Sequence, residues 1–271
     1  MYAASFDGTG RKVFWQEMWR GEFLAALEQA PVVVLPVGSV EQHGPHCPMD
    51  VDISAPFHMA VTVARRVTDF PVVVAPPLWC GLAHYNMGFP GTISLRAETF
   101  QAVLTDVLRS IHANGFERIV ALNGHGGNWG PCRTVAWQIA EEDVFVLACN
   151  WWDLVAREIR EWAEADDSVG HGGEWETSVQ LHLRGKLVDR TRIGGDQALT
   201  NPFTGDVAHL DFAERRRDTR DGTGIMGDAR VASAEKGQRL FDLACARLED
   251  LVRQYHALPV RHYREFGTHC P

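Results

Sequence analysis

VVVLPVGSVEQHGPH, residues 32–46, joins an apolar run directly to a loop rich in polar side chains, and this junction decides the fold. The run is short and rich in valine, which is typical of a strand that is buried on both faces. Similar runs at residues 72–75, 119–122 and 144–149 predict three more strands. Together they predict the core of a mostly parallel sheet.

Segments with helical periodicity alternate with these strands, at residues 54–67, 97–113, 131–140, 175–183 and 232–255. The alternation predicts a three-layer α/β protein in which helices cover both faces of the sheet. Residues 194–229 show no periodicity, so we expect a long loop there rather than a second domain. We therefore expect one domain over residues 1–271, with ligands bound beyond the carboxyl ends of the strands.

Composition narrows the class of function. The net charge of −9 argues against a nucleic-acid partner, since such proteins present clustered Lys and Arg to phosphates. No apolar stretch approaches the roughly 18 residues of a membrane span, and the first residues do not resemble a signal peptide. The six cysteines form no CxxC pair and are expected to be reduced. We expect a cytoplasmic protein without a membrane partner that acts on a small molecule.

The first polar block follows the first strand and contains Glu41, His43 and His46, with Asp50 and Asp52 shortly after. Glu41 and His43 lie two residues apart, so both side chains can point the same way, as ligands of one site must. Asp52 can bridge two ions. The alternative is that Asp52 caps the helix that starts near residue 54. Five such residues in so short a span favour a metal or catalytic site.

The second block, NGHGGN at residues 123–128, also follows a strand and precedes a helix. Its glycines allow His125 and neighbouring amides to approach a ligand closely. A phosphate-binding loop is the alternative. It is weaker, because the Gly-Lys-Ser/Thr ending and the dinucleotide glycine spacing are both missing.

The third block, HGGEWETS at residues 171–178, leads into a helix. Glu174 lies three residues after His171, so one helical turn brings both to the same face, and Glu176 is expected to project elsewhere. Alternatively, the two glutamates interact with the helix dipole without any metal. The three blocks together offer carboxylates and imidazoles without cysteine, which suits catalytic Zn, Mn or Mg.

These three motifs in this order, with AHYNMGFPGTISL (83–95) and GDARVASAEKG (227–237), resemble the creatininase family over residues 31–240. The resemblance implies the creatininase-like α/β/α fold and a binuclear site with four matching ligands: Glu41, His43, Asp52 (bridging) and His125. Members that act on creatinine have NGHYEN, with a glutamate ligand at the place of Gly127. Members with NGHGGN have a glutamate in an HxGE motif instead, so Glu174 is expected as the fifth ligand.

The resemblance also implies a mechanism. Two divalent ions, Zn first and Mn, Mg or Fe as alternatives, hold a bridging hydroxide that attacks a carbonyl. His171 matches the catalytic histidine and is expected to protonate the leaving atom. Its alternative role is a structural hydrogen bond to a backbone carbonyl.

Substrate contacts are expected from the loop after the second strand and from the end of the fourth. Residues His84, Tyr85 and Phe89, and also Trp152, are the candidates, with a surface or packing role as the alternative. Trp175 is expected to be packed. Cys47 is expected to be a small buried side chain rather than a ligand.

The expected substrate is small and cyclic or amide-like. The resemblance leaves several reactions open: ring opening of a keto-inositol, hydrolysis of creatinine, removal of a formyl group and cleavage of a peptide. Two classes without catalysis are a metal-stabilised binding protein and a nucleotide-binding regulator. The resemblance also implies a homo-oligomer, with a hexamer as one form.

Overall fold

A four-stranded sheet organises the protein. The computed structural model describes residues 6–165, 169–195 and 222–260. Its strands are β1 (Val32–Val37), β2 (Val72–Val74), β3 (Arg118–Asn123) and β4 (Val146–Asn150). They are parallel, in the order β2-β1-β3-β4. All four predicted strands are confirmed, with ends that differ by at most two residues.

Seven α-helices lie among the described residues: α1 (Arg20–Leu27), α2 (Val51–Arg66), α3 (Ala97–Ala113), α4 (Trp129–Ala140), α5 (Ala156–Trp162), α6 (Glu174–Arg184) and α7 (Ala234–Ala257). Short 3-10 helices include Trp15–Glu17, His84–Asn86, Gly126–Asn128, Trp151–Val155, Gly185–Leu187, Arg190–Arg192 and Ala229–Val231. The five predicted helices are confirmed. Helices α1 and α5 were not predicted, because each has eight residues or fewer and periodicity needs a longer window.

Alternate residues of β1 enter two different apolar layers. Val32 and Val34 pack with residues of α2, α6 and α7, whereas Val33 and Leu35 pack with residues of α3 and α4. All four side chains are fully buried, and burying each contributes about 1.5–3 kcal/mol. The predicted three-layer architecture, with helices on both faces of the sheet, is confirmed.

The loops that follow β1 and β3 meet at one edge, because these neighbouring strands are parallel. Helix α2 begins three residues before the predicted start, so that Asp52 lies in its first turn. Two short hydrogen bonds, of 2.7 and 2.8 Å, join the guanidinium of Arg184 to both oxygens of Asp50. This bidentate pair fixes the start of α2 to the end of α6.

The predicted loop at residues 194–229 falls partly outside the described residues. Of its described part, Met226 pairs with His171 through two backbone hydrogen bonds of 2.9 and 2.7 Å. Cysteines 47, 80, 132, 149 and 245 are free thiols, as predicted, and Cys270 lies outside the described residues. None of the described helices is both long and apolar enough to span a membrane.

Candidate metal centre

Five acidic and imidazole side chains converge at the carboxyl end of the sheet. Glu41 and His43 follow β1, Asp52 lies in α2, His125 follows β3 and Glu176 lies in α6. All five are buried. They form two groups that share Asp52, Glu41–Asp52–His125 and His43–Asp52–Glu176, and the ligand atoms of each group lie within 4.8 Å of one another.

The carboxylate of Asp52 lies between the two groups. Its Oδ1 is 3.0 Å from His43 Nε2, and its Oδ2 is 3.0 Å from His125 Nδ1. Oδ2 is buried and makes no hydrogen bond of acceptable geometry. Since a buried carboxylate oxygen without a hydrogen bond is costly, a cation is the partner that this position fits. The oxygen and nitrogen donors present suit divalent metal ions.

Both imidazoles are oriented by backbone carbonyls. His43 Nδ1 lies 3.1 Å from the carbonyl oxygen of Glu41, and His125 Nε2 lies 3.0 Å from that of Leu82. A nitrogen that donates to a carbonyl leaves the other ring nitrogen as the lone pair. In the neutral rings, His43 Nε2 and His125 Nδ1 are therefore the nitrogens that keep a lone pair for an ion, as in metal sites where a second partner orients the histidine.

The electrostatics of the cluster agree with this arrangement. Burial by itself lowers the pKa of His43, but the carboxylates of Asp52 and Glu176 outweigh it and raise that pKa well above its usual value. Burial also acts to lower the pKa of His125. The negative charge of Glu41 is the largest effect that raises this pKa, and the result is again a value well above the usual one. Burial acts against the charged form of Asp52, yet the two histidines hold its pKa well below the usual range. Divalent ions would replace these protons.

Glu174, which is expected as the fifth ligand, does not lie in any of the possible ligand groups of the described residues. The Glu174 carboxylate is fully buried, but its oxygens accept hydrogen bonds from Lys236 Nζ at 2.7 Å and from the backbone amides of Glu164 and Ala165. Glu176, which was expected to project elsewhere, places Oε2 3.5 Å from His43 Nε2. The third carboxylate of the cluster is therefore Glu176.

The different placement of the two glutamates comes from where the helix begins. The three-residue spacing between His171 and Glu174 places both on one face only if residues 171–174 are helical. Helix α6 begins at Glu174, and Gly172 has a φ of +63°, a conformation that favours glycine. The chain bends there, and Glu176 reaches the cluster from the first helical turn.

His171, the expected catalytic residue, lies at the cluster and forms a third possible ligand group with Glu41 and His43. Its Nδ1 is 3.4 Å from Glu41 Oε1, and its ring centroid is 4.3 Å from that of His43. Its Nε2 is 2.6 Å from the carbonyl oxygen of Gln42. The hydrogen bond to a backbone carbonyl, expected if His171 has a structural role, is thus present. It leaves Nδ1 as the ring nitrogen that faces the carboxylates.

Residues 16–252 match the family described as creatininase, creatinine amidohydrolase. The chain belongs to the creatininase family. It is 34% identical over 224 residues to a mycofactocin precursor peptide peptidase of Mycolicibacterium smegmatis, covering 78% of this chain and 80% of the relative. It is 29% identical over 262 residues to creatinine amidohydrolase of Pseudomonas putida, covering 90% and 97%.

A third relative is the 3-dehydro-scyllo-inosose hydrolase of Thermotoga maritima, 26% identical over 269 residues, with 89% of this chain and 83% of the relative covered. Among solved structures, a glutamine mutant of creatininase of the Zn–Zn type superposes with a TM-score of 0.76 at 28% identity, covering 91% of this chain and 99% of the other. Creatininase with Mn gives a TM-score of 0.73 at 26% identity, covering 91% and 99%. The predicted family, fold and hydrolase class are confirmed.

Gly127 lies at the place where NGHYEN members of the family have a glutamate. A Cβ at this position would lie 2.7 Å from His125 Nε2 and 2.8 Å from Tyr85 Oη, and would also collide with the carbonyl of Leu82. No side chain fits there without movement of the loop that carries Tyr85. Residue 127 therefore offers no carboxylate to the cluster of this creatininase-family member, and the third carboxylate found there, Glu176, lies in α6.

The two asparagines of NGHGGN hold the loop in shape. Asn123 Oδ1 accepts from the amide of His125 at 3.1 Å, and its Nδ2 donates to Asn150 at 2.8 Å. Asn128 Oδ1 accepts from the amide of Leu82 at 2.8 Å, and its Nδ2 donates to the carbonyl of Gly38 at 3.1 Å. Both side chains join neighbouring loops, so His125 is the member of this motif that enters the metal cluster.

The four predicted substrate residues have different surroundings. Tyr85 Oη lies 3.0 Å from His125 Nε2. His84 is exposed, and Phe89 is half-buried. Trp152 is half-buried with its ring centroid 6.0 Å from that of Trp151. Contact of these residues with a substrate stays a prediction.

Two further predictions concern Trp175 and Cys47. Trp175 is fully buried, as expected. Cys47 is half-buried, lies outside the metal-ligand groups, and has its pKa raised to about 11 mainly by burial. Its thiol is therefore protonated near neutral pH, which agrees with a packing role.

Sequence reasoning missed Asn86, which is fully buried at the cluster. Its Nδ2 donates to Glu41 Oε2 at 2.8 Å, and its Oδ1 lies 3.4 Å from Gln42 Nε2. The only local signal was its place next to Tyr85 in a loop bounded by glycine and proline. An asparagine in a loop has no motif of its own, so the contact could not be inferred from spacing.

Proposed function

We propose that this creatininase-family member is a binuclear metal-dependent hydrolase that adds water across the carbonyl of a small cyclic or amide-like substrate. The position of Asp52 carries the proposal, because its two oxygens lie 3.0 Å from imidazole nitrogens of two different groups. Two divalent ions held by these groups would polarise the carbonyl and supply hydroxide near neutral pH. Zn is the first candidate, and Mn, Mg or Fe suits the same donors.

His171 is the proposed proton carrier. The carbonyl of Gln42 holds Nε2 at 2.6 Å, so Nδ1 is the ring atom that can exchange protons at the cluster. Glu41 Oε1, 3.4 Å from Nδ1, stabilises the protonated ring. The attacking water must lose a proton and the leaving atom must gain one, and His171 Nδ1 is placed to move it.

Burial of the site supports hydrolysis inside a water-poor environment. The ligand side chains and His171 are each at most 7% exposed. In such surroundings the interaction between charges and a polarised carbonyl is stronger than in bulk water. A groove of about 600 Å³ between α4, β4 and α7 contains none of the cluster residues, so we assign it no catalytic role.

An amide-like bond is favoured as the one cleaved. The mycofactocin peptidase and creatinine amidohydrolase relatives are 34% and 29% identical to this chain, against 26% for the inosose hydrolase. Creatinine itself is disfavoured, because members that act on creatinine have the glutamate of NGHYEN at the place of Gly127. This chain has no room for that side chain without movement of the Tyr85 loop. Ring opening of a keto-inositol is the alternative reaction of the same site.

The wider setting is part of this proposal and comes from the sequence and the family resemblance. We propose a cytoplasmic homo-oligomer, with a hexamer as one form, that acts on a small molecule without nucleic-acid or membrane partners.

The test is metal analysis of the purified protein together with hydrolysis assays. Protein stripped with a chelator would be reloaded with Zn²⁺ or Mn²⁺ and offered creatinine, a formamide, a cyclic keto-inositol and a short peptide. We expect two ions per chain and activity on one substrate that is lost on stripping and returns on reloading. Two ions without hydrolysis of any member of the panel would favour a metal-stabilised binding protein, and no bound metal would refute the binuclear site.

A further inference from the structure

The loop between β2 and α3 brings two adjacent side chains against the metal cluster. Tyr85 and Asn86 lie in the short 3-10 helix His84–Asn86. The Tyr85 hydroxyl is 3.0 Å from His125 Nε2, and Asn86 Nδ2 donates to Glu41 Oε2 at 2.8 Å. Both contacts end on members of the same group, Glu41–Asp52–His125.

We infer that Tyr85 and Asn86 are positioning residues for one of the two metal positions, the one formed by Glu41, Asp52 and His125. The inference rests on the proposed binuclear site. It adds that only one of the two metal positions depends on these two residues. Of the two groups that share Asp52, the second, His43–Asp52–Glu176, contains neither Glu41 nor His125. Loss of either contact should therefore weaken one metal position and leave the other unchanged.

Tyr85 controls the direction of the His125 ring. His125 Nε2 lies 3.0 Å from both the Tyr85 hydroxyl and the carbonyl oxygen of Leu82, so its N–H is held between two acceptors. The two rings lie 5.9 Å apart and nearly parallel, at 25°. This fixes the tautomer that leaves the lone pair of Nδ1 directed at Asp52 and Glu41.

Asn86 controls which oxygen of Glu41 faces the cluster. Because Asn86 Nδ2 holds Oε2, the other oxygen, Oε1, is directed at His125 Nδ1, 3.2 Å away. Asn86 is itself fixed, since it is fully buried and contacts Gln42 Nε2 and His171 Nε2 at 3.4 and 3.3 Å. A free carboxylate would rotate and lose the orientation that an ion requires.

Tyr85 and Asn86 would be outer partners of metal ligands. Loss of such a partner typically lowers metal affinity 10–100-fold, and we expect an effect of this size here. Tyr85→Phe keeps the ring and removes only the hydroxyl, and Asn86→Ala removes the amide. Tyr255→Phe is the matched control, because its hydroxyl also makes a hydrogen bond, donated to the carbonyl of Phe145 at 3.0 Å, but lies on α7 away from the cluster.

The experiment titrates Zn²⁺ into chelator-stripped wild type and the three variants by calorimetry, and records the visible spectrum with Co²⁺ as a second probe. We expect two binding steps in the wild type. In Tyr85→Phe and Asn86→Ala one dissociation constant should rise 10–100-fold while the other stays within about twofold, and the Co²⁺ bands of one position should change. The control should match the wild type.

Equal weakening of both steps, or no change in either, would overturn the inference while leaving the binuclear site intact. A wild type that binds fewer than two ions would instead count against the proposed function. Thermal unfolding in chelator separates packing from positioning, because a packing role predicts a lower Tm of the stripped protein without a selective change in affinity. Should Asn86→Ala fail to fold, Tyr85→Phe carries the test alone.

Discussion

Two glutamates on the same turn of α6, Glu174 and Glu176, are expected to respond in opposite ways to the same substitution. Glu176→Gln removes a carboxylate whose oxygen lies 3.5 Å from His43 Nε2, so the metal content should fall from two ions to one per chain. The glutamine can still accept from the amide of Gly172, which now donates to Glu176 at 2.6 Å. The unfolding free energy of the stripped protein should therefore change by no more than about 1 kcal/mol.

Glu174→Gln should leave both ions in place and destabilise the fold. The lost interaction is a charged hydrogen bond to Lys236 at 2.7 Å, which contributes about 1.5–3 kcal/mol. The cost stays in this range because Lys236 keeps Glu164 as a second partner at 2.7 Å. For a chain of this length that loss lowers Tm by roughly 3–12 °C.

The assay is elemental analysis after stripping and reloading with Zn²⁺, with thermal unfolding of the stripped proteins in chelator. Because the two variants make the same chemical change two residues apart on one helix, each serves as the control of the other. Loss of metal from Glu174→Gln together with full occupancy in Glu176→Gln would refute the assignment. It would restore the ligand set expected from the sequence.

Three further predictions concern other residues. His171→Gln should keep two ions by elemental analysis but lower kcat by about 10²–10⁴-fold, as expected for loss of an acid–base group; unchanged turnover would exclude that role. Gly127→Ala should cost about 1–3 kcal/mol in urea unfolding and lower metal content, because its Cβ collides with the carbonyl of Leu82; wild-type values would show that the loop has room. Hydrogen bonding to Arg247 lowers the pKa of Glu158 to about 2, so the pair stabilises the fold above pH ~4.5 and loses this contribution as pH falls towards 2. The difference in unfolding free energy between wild type and Glu158→Gln should accordingly shrink over that interval, and a constant difference would contradict the linkage.

The strands and the first two motifs could be predicted from the sequence because their signals are local. Residues 32–37 form a short, valine-rich run typical of a buried strand, and the polar block begins directly after β1 ends. Parallel pairing of β1 with β3 then places both blocks at one edge of the sheet. These facts, together with the family resemblance, are enough to predict four members of the cluster: Glu41, His43, Asp52 and His125.

The positioning residues could not be predicted, because their contacts are long-range. Asn86 meets Glu41 across 45 positions, and Tyr85 meets His125 across 40. These meetings depend on the path of an irregular loop after β2, which periodicity does not describe. The same limit applies to Glu174, whose partner Lys236 lies 62 positions away.

Placing Glu176 instead of Glu174 at the cluster leaves the proposed function unchanged, because charge balance constrains the set of ligands rather than each member. In the proposed binuclear site, Glu41, Asp52 and one further glutamate would supply three negative charges to two divalent ions, and about one positive charge would remain for hydroxide to neutralise. Gly127 cannot provide that glutamate, since a side chain there collides with the loop that carries Tyr85. Helix α6 brings Glu176 to the cluster instead, because the chain bends at Gly172, where φ is +63°.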